Sequence, residues 1–418
     1  METFSFGETE VRIYGGYRSI GGNCVVIESP SVSVMFDQGA NFTQLKKFYG
    51  ISIQPDSVEE LRKMKVLPPR EAYGTVDEVY VSHLHLDHLG SLNVPQSKKV
   101  YLPSRELVEV LSRTWWFGWK QHLFPQTLSF TGFSEIEESR KVHFAKVSHS
   151  AYPSYAFRVD TDDVSIIYTG DLRLASPYAG LVNTADNLRA LSEGGVDVLI
   201  MEGTNFGRSM NYLTVQQFKA LLRELLENYK HDLLFISTHP LDLETTLVIL
   251  ELLWEHGFTP VFTNNYYAKL LDTQIDEVGY EVGGELLYAP SKVSGAKILN
   301  NFETAYLSEL RGSRIAVFVP AYGVKEMKDV LDMLSADSSG VIHITVFGEP
   351  LAEEWVVEEK KVANWLSLLG ITSLRMHLSG HYLPFEFKEI LDAIKPRKLI
   401  PIHTESPSTM LTLFGKYE

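Results

Sequence analysis

His83-Leu84-His85-Leu86-Asp87-His88 places four side chains able to bind a metal within six positions. The stretch follows directly on the strand-like run Val76-Asp77-Glu78-Val79-Tyr80-Val81-Ser82. Imidazole nitrogen and carboxylate oxygen are ligands that Zn²⁺ and similar divalent ions accept. In an extended segment side chains two apart point the same way, so His83 and His85 can hold one ion. Asp87 and His88, where the chain turns towards a helix, can reach a second ion close by. Four ligands at this spacing argue against a metal-free surface turn.

Three further candidates stand at strand ends. His149 follows Lys146-Val147-Ser148, Asp171 closes Val164-Ser165-Ile166-Ile167-Tyr168-Thr169-Gly170, and His403 ends Lys398-Leu399-Ile400-Pro401-Ile402. Each alone would read as a solvated strand-end residue. With the first cluster they complete two sites, and Asp171 is placed to bridge both ions.

Outward from these motifs the chain has two rhythms. Residues 1 to about 205 alternate short β-rich runs with polar turns, which suits a β-sandwich flanked by helices. After Asn205 helix and strand alternate. Thr214-Val215-Gln216-Gln217 reads as a capping box opening a helix that runs to Tyr229. Leu233-Leu234-Phe235-Ile236 is a short buried strand, and Leu241 to His256 is a helix stopped by Gly257. Ile315–Val319 and Val341–Val346 are further buried strands, separated by a helix near Lys325–Leu334. This alternation predicts a parallel sheet sandwiched by helices. A helix near 352–369, a strand 374–377, a helix 384–394 and the strand ending at His403 bring the chain back.

The order HxHxDH, a lone His149, Thr169-Gly170-Asp171 and a distant His403 resembles the metallo-β-lactamase fold in its hydrolase branch. Ile20-Gly21-Gly22-Asn23-Cys24-Val25-Val26-Ile27 and Val34-Met35-Phe36-Asp37-Gln38-Gly39 are similar to that fold's opening hairpin. Ile200-Met201-Glu202-Gly203-Thr204-Asn205 resembles motif A of the β-CASP nucleases. His377-Leu378-Ser379-Gly380-His381, with Pro401-Ile402-His403-Thr404-Glu405, is similar to the closing motifs of ribonuclease J and its archaeal relatives.

The resemblance runs from about residue 10 to 405. It implies an α/β protein: a metallo-β-lactamase αββα sandwich carrying an inserted β-CASP-like α/β domain with a parallel sheet. Residues 1–207 would form the first part of the sandwich, 208–348 the insertion and 349–418 the C-terminal return.

The resemblance also assigns roles. His83, His85 and His149 would hold one ion, and Asp87, His88 and His403 the other. Asp171 would bridge them opposite a bridging hydroxide, the nucleophile. Two such ions clamp a phosphodiester and activate the attacking water. His381 would contact the scissile phosphate and help protonate the leaving group, so Asp87, His381 and Glu202 are the catalytic candidates. His377, Ser379 and the Gly380 amide would contact substrate phosphate. Glu202 would orient a ligand imidazole, and Asp37 would do similar work behind the first cluster. His239, in Ser237-Thr238-His239-Pro240, reads equally as a substrate contact or a turn residue. The aromatic group Trp115-Trp116-Phe117-Gly118-Trp119 reads as packing, or as rings on which bases stack.

The expected cofactors are two divalent ions, Zn²⁺ or else Mn²⁺, and the expected substrate is single-stranded RNA, with DNA and a homodimer left open. At 418 residues the chain can bury two full cores. One cysteine, Cys24, excludes an internal disulfide and any cysteine-rich metal cluster. No signal segment or membrane-length apolar run is present, so a cytoplasmic location without membrane contact is expected. The net charge of −15 opposes a polyanion. It favours an alternative, a phosphodiesterase or ester hydrolase of small molecules. Lys46-Lys47, Lys98-Lys99 and Arg311 with Arg314 are candidates for a compensating basic rim.

Overall fold

The computed structural model describes residues 1–50, 52–95, 98–114, 133–207, 212–290, 299–321, 323–347 and 356–417, with the side chains of 113, 114 and 356–359 excepted. The aromatic group at 115–119 lies outside the described residues. The chain divides into two units: Met1–Ser176 with Val182–Met210 and Gly380–Glu418, and Pro177–Leu181 with Asn211–Ser379.

The first unit is built on two sheets. One has seven strands in the order Glu2–Phe6, Thr9–Gly15, Cys24–Glu28, Ser33–Phe36, Glu78–Tyr80, Lys99–Leu102 and Phe133–Glu135. Its first four strands form an antiparallel meander, and the last three join in parallel. The other sheet has five strands in the order Pro396–Ile402, Val196–Glu202, Ser165–Tyr168, Ser154–Asp160 and His143–Val147.

Alternation drives the assembly. In Thr9–Gly15 every second residue is buried, so Val11 and Ile13 face inward. They join Val25, Ile27, Phe36, Tyr80, Phe157, Tyr168, Val198 and Ile400 in one core fed by both sheets. Phe36 lies stacked near Phe157 and Tyr168, with ring centroids 5.1 and 5.3 Å apart. The outer face of the five-stranded sheet is covered by helices Thr184–Leu191, Phe387–Ile394 and Pro407–Tyr417 through Leu188, Leu191, Phe387, Ile390, Ile394 and Met410. This is the β-sandwich flanked by helices that the first rhythm predicts.

The second unit holds a seven-stranded, all-parallel sheet in the order Glu303–Thr304, Leu287–Tyr288, Thr259–Phe262, Ile315–Phe318, Leu233–Thr238, Ile342–Val346 and Thr372–Met376. Leu233–Thr238 is buried along its whole length, as a central parallel strand must be when helices cover both faces. Thr214 and Gln217 form the expected capping box, and Gly257 (φ +72°) ends the helix Leu243–Glu255. The sequence ends the insertion at 348; the second unit instead runs to Ser379. The reason is pairing: Thr372–Met376 adds to Ile342–Val346 in parallel, with Val346 opposite Met376, and so closes this sheet's edge. A strand expected in the C-terminal return therefore lies in the second unit.

Candidate metal centre

Strands of both sheets in the first unit deliver their ends to one place. His83 follows Glu78–Tyr80, His149 follows His143–Val147, Asp171 follows Ser165–Tyr168, Glu202 ends Val196–Glu202, and His403 follows Pro396–Ile402. The histidine-rich segment is fixed by its backbone. Asn23 N–H donates to Asp87 O at 3.0 Å, Gln38 N–H to His88 O at 2.9 Å, and Ala40 N–H to Leu86 O at 2.8 Å. Such close approach needs glycine. A Cβ at Gly39 would sit 1.6 Å from Asp87 O, and one at Gly90 (φ +59°) 1.7 Å from Gln38 O.

Two ligand sets emerge. His83, His85 and His149 present ring nitrogens within 4.8 Å of one another, and Asp87, His88 and His403 form a second such group. His83, His88 and Asp171 form a third that spans both. Asp171 Oδ2 lies 3.9 Å from His83 Nε2, 4.0 Å from His149 Nε2 and 3.0 Å from His88 Nε2. The structure thus brings all seven ligand candidates together.

Four of the five rings are turned by a partner on the far nitrogen. His149 Nδ1–H donates to Gly380 O at 2.6 Å. His88 Nδ1 meets Asp37 Oδ2 at 2.7 Å. Asp37 Oδ1 in turn accepts the Ser82 N–H at 2.7 Å, and Asp37 Oδ2 accepts the Ser82 and Tyr168 hydroxyls. His83 Nδ1 faces Ser82 Oγ at 3.0 Å, and His403 Nδ1 faces Thr204 Oγ1 at 2.7 Å. These contacts leave the Nε2 atoms of His83, His88, His149 and His403 to the interior of the cluster.

The donor set fits a divalent ion. His83 and Asp171 are buried, yet among the described residues His83 Nε2 and Asp171 Oδ1 make no hydrogen bond. A buried polar atom left so is costly unless something else ligates it. Burial, with His88, His149 and His85 nearby, pushes the His83 pKa well below its ordinary value and keeps its lone pair free. Burial also works against protonated His88, but Asp171, Asp37 and Asp87 outweigh it and raise its pKa well above the ordinary value. Burial likewise opposes ionised Asp171, and His403, His88 and His381 nonetheless hold its pKa well below the carboxylate range. A buried carboxylate ringed by imidazoles with unpaired atoms is a donor set that can hold a divalent cation.

The remaining candidates divide. Glu202 Oε1 accepts from His381 Nδ1 at 2.9 Å, and Glu202 Oε2 accepts the Thr204 N–H at 2.9 Å. Glu202 therefore orients His381, while the ligand candidate His403 is turned by Thr204. Sequence reasoning missed Thr204; its signal was a hydroxyl two residues past Glu202 in the same motif. Gly380, expected to offer its amide, offers its carbonyl to His149. His377 and Ser379 belong to the second unit, where His377 O accepts the Leu213 N–H at 2.8 Å and its ring lies against Tyr212. His239 closes its own turn: its Nδ1 accepts the Leu241 N–H at 3.3 Å, and its carbonyl accepts the Asp242 N–H.

The three basic clusters are divided between the two units. Lys99 begins its strand opposite Glu78, at the end away from His83. Arg311 and Arg314 sit in the second unit, donating to Met333 O and Tyr229 O.

No family model matches the chain. It is, however, similar to Ribonuclease J of Mycoplasma genitalium, with 22% identity over 422 residues covering 95% of this chain and 68% of that protein. It is also similar to Ribonuclease J of Methanocaldococcus jannaschii, with 21% identity over 425 residues, 94% of this chain and 91% of that one. Over nearly its whole length the chain is therefore similar to ribonuclease J. An RNase J-like protein of M. jannaschii is similar at 27% identity over 228 residues, covering 52% of this chain and 47% of the relative. A crystal structure of a protein of unknown function from Enterococcus faecalis V583 shares its fold, with a TM-score of 0.71, 22% identity and coverage of 96% and 95%.

Proposed function

We propose that the chain is a metal-dependent nuclease, a ribonuclease that hydrolyses single-stranded RNA at a centre of two divalent ions, Zn²⁺ or Mn²⁺. The first unit then corresponds to a metallo-β-lactamase sandwich and the second to a β-CASP-like insertion. One observation carries the reading: two ligand groups, one of three imidazoles and one of Asp87, His88 and His403, both reach the buried Asp171 carboxylate. The names of the relatives, Ribonuclease J and RNase aCSPSF2 among them, give the substrate class.

Bound ions would stabilise charge on a phosphodiester and lower the pKa of the attacking water. His83, His85 and His149 would hold one, Asp87, His88 and His403 the other, and Asp171 both. The protein's own part is orientation and proton transfer. His381 directs Nδ1–H at Glu202, so Nε2 would face substrate and, when the ring is the imidazolium that this carboxylate stabilises, would give its proton to the leaving oxygen. Glu202, fixed at its other oxygen by the Thr204 amide, holds that ring in one orientation. His377 and Ser379 would contact phosphate, and a 5′-to-3′ exonucleolytic mode would use them on the terminal phosphate.

The test is incubation of metal-loaded protein with 5′-monophosphorylated RNA labelled at its 3′ end, beside matched DNA. Progressive shortening from the 5′ end is expected, and it should vanish in Asp87→Ala/His88→Ala. Discrete internal cuts would make the enzyme an endonuclease. The net charge of −15 favours a second reading, a small phosphodiester as substrate. Cleavage of bis-p-nitrophenyl phosphate with neither polymer cut would select it.

A further inference from the structure

An acidic nuclease needs cations placed where the polymer lies. With 53 acidic side chains against 38 basic ones, acidic partners are plentiful and arginines here are commonly neutralised locally. The arginines show it: Arg12 pairs with Glu10 and Glu28, Arg70 with Glu59, Arg158 with Asp160, Arg189 with Asp186, Arg223 with Glu255 and Arg397 with Asp197. Arg62, Arg140, Arg311 and Arg314 donate to backbone carbonyls. Arg18 differs. It is exposed, and among the described residues no carboxylate or carbonyl pairs with it. Its contact is with the face of Tyr17, 5.4 Å from guanidinium carbon to ring centroid.

Its position gives that free charge a use. The loop from Gly16 to Gly21 is anchored at both ends to the same half of the metal centre. Gly16 O accepts the His403 N–H at 2.7 Å. At the other end Gly21 (φ +76°) packs on Asp87, so that a Cβ there would lie 3.2 Å from Asp87 Oδ2. Arg18 stands on the short span between these two ligand residues, itself in the left-handed region at φ +56°. A non-glycine residue is rarely found there, and such conformations persist where the surroundings impose them. Tyr17 is braced in turn by Phe4, its ring centroid 6.1 Å away, and packs on the core of the sandwich. The guanidinium is therefore preorganised on an aromatic face rather than free-swinging.

We propose that Arg18 is a substrate-positioning residue that grips the phosphodiester backbone of a nucleic acid next to the scissile phosphate. The proposal rests on the nuclease reading above. A guanidinium offers a planar fork of donors to two phosphate oxygens, and an unpaired one loses no protein partner when it does so. It also supplies a positive charge on a loop tied to the metal centre of an acidic protein. The group it recognises is a backbone phosphate flanking the cleaved one, which a polymer has and a minimal diester lacks.

The experiment compares wild type with Arg18→Ala, Arg18→Glu and Arg18→Lys, each metal-loaded. Substrates are a 5′-monophosphorylated single-stranded RNA oligomer and bis-p-nitrophenyl phosphate. Binding of fluorescent RNA is followed by anisotropy across a KCl series. For Arg18→Ala the RNA KM should rise about tenfold with kcat changing far less, and the slope of log affinity against log salt should fall by about one. Arg18→Glu should lose more and Arg18→Lys less. The loss on RNA should exceed that on the small diester by about tenfold. An unchanged RNA KM in Arg18→Glu, or equal loss on both substrates, would overturn the role of Arg18 while the nuclease reading stands. Wild-type protein that cleaves only the small diester, or neither substrate, would overturn the nuclease reading itself and Arg18 with it.

Discussion

The two ligand sets of the centre are built from different materials. His83, His85 and His149 are all imidazole, and their braces are the Gly380 carbonyl and the Ser82 hydroxyl. Asp87, His88 and His403 include a carboxylate, and Asp37 stands directly behind them at 2.7 Å from His88 Nδ1. The first set offers only imidazole donors, and the second includes an anionic ligand. A neutral imidazole set satisfies an ion's coordination, while buried carboxylates also need the ion's charge. The carboxylate set should therefore depend more on its metal, and Asp171 joins the two.

Removal of the shared residue is the strongest way to break the comparison. Asp171→Ala should lower metal content from about two ions per chain to one or fewer and cut turnover about a thousand-fold or more, since metal charge stabilisation is worth several kcal/mol. Metal analysis by mass spectrometry beside initial rates checks both. Full retention of two ions would mean that Asp171 bridges nothing.

Asp87→Ala/His88→Ala tests whether the sets are separable. About one ion per chain should remain, held by His83, His85 and His149, with activity lost. Loss of all metal would show that the sets act as a single site, and the contrast between them would fall.

Thr204→Val sharpens the contrast by touching one brace alone. His403 would lose the hydroxyl at its Nδ1, and affinity for one of two ions should drop about 10- to 100-fold. A chelator competition titration resolves the two affinities. Equal weakening of both would assign Thr204 a general structural part instead.

How much of this the sequence shows depends on the range of the interaction. The ligand sets are legible because ligand chemistry is written in residue type and strand-end position, and His83 to His88 is a local pattern. The sandwich and the parallel sheet follow from burial alternation and from capping at Thr214 and Gly257, which are local too. The braces are not local. His403 finds Thr204 across 199 positions, His381 finds Glu202 across 179, and His149 finds the Gly380 carbonyl across 231. No periodicity reports which of several polar residues in a motif will face a given ring. The edge strand Thr372–Met376 escaped for the same reason, because a short strand shows its own propensity but not the sheet it joins.

Burial of an imidazole alone does not make a ligand, and His343 sharpens that point. It is as buried as His83, but it sits within the second unit's sheet, where its Nε2 lies 2.8 Å from Ser237 Oγ. Burial alone pulls its pKa down to about 4 from an ordinary 6.5. A histidine neutral in the fold but protonated in the unfolded chain contributes fully above pH 6.5. Its contribution is lost as pH falls from there towards 4, because the unfolded state then binds the extra proton. The full loss is about 3 kcal/mol at 1.36 kcal/mol per unit. Urea denaturation at pH 7 and pH 4.5 should show His343→Leu losing less stability on acidification than wild type, by about 2 kcal/mol. Its metal content should match wild type. An identical acid response in both proteins would mean that His343 is already protonated in the fold, and the distinction between a packed imidazole and a ligating one would need another basis.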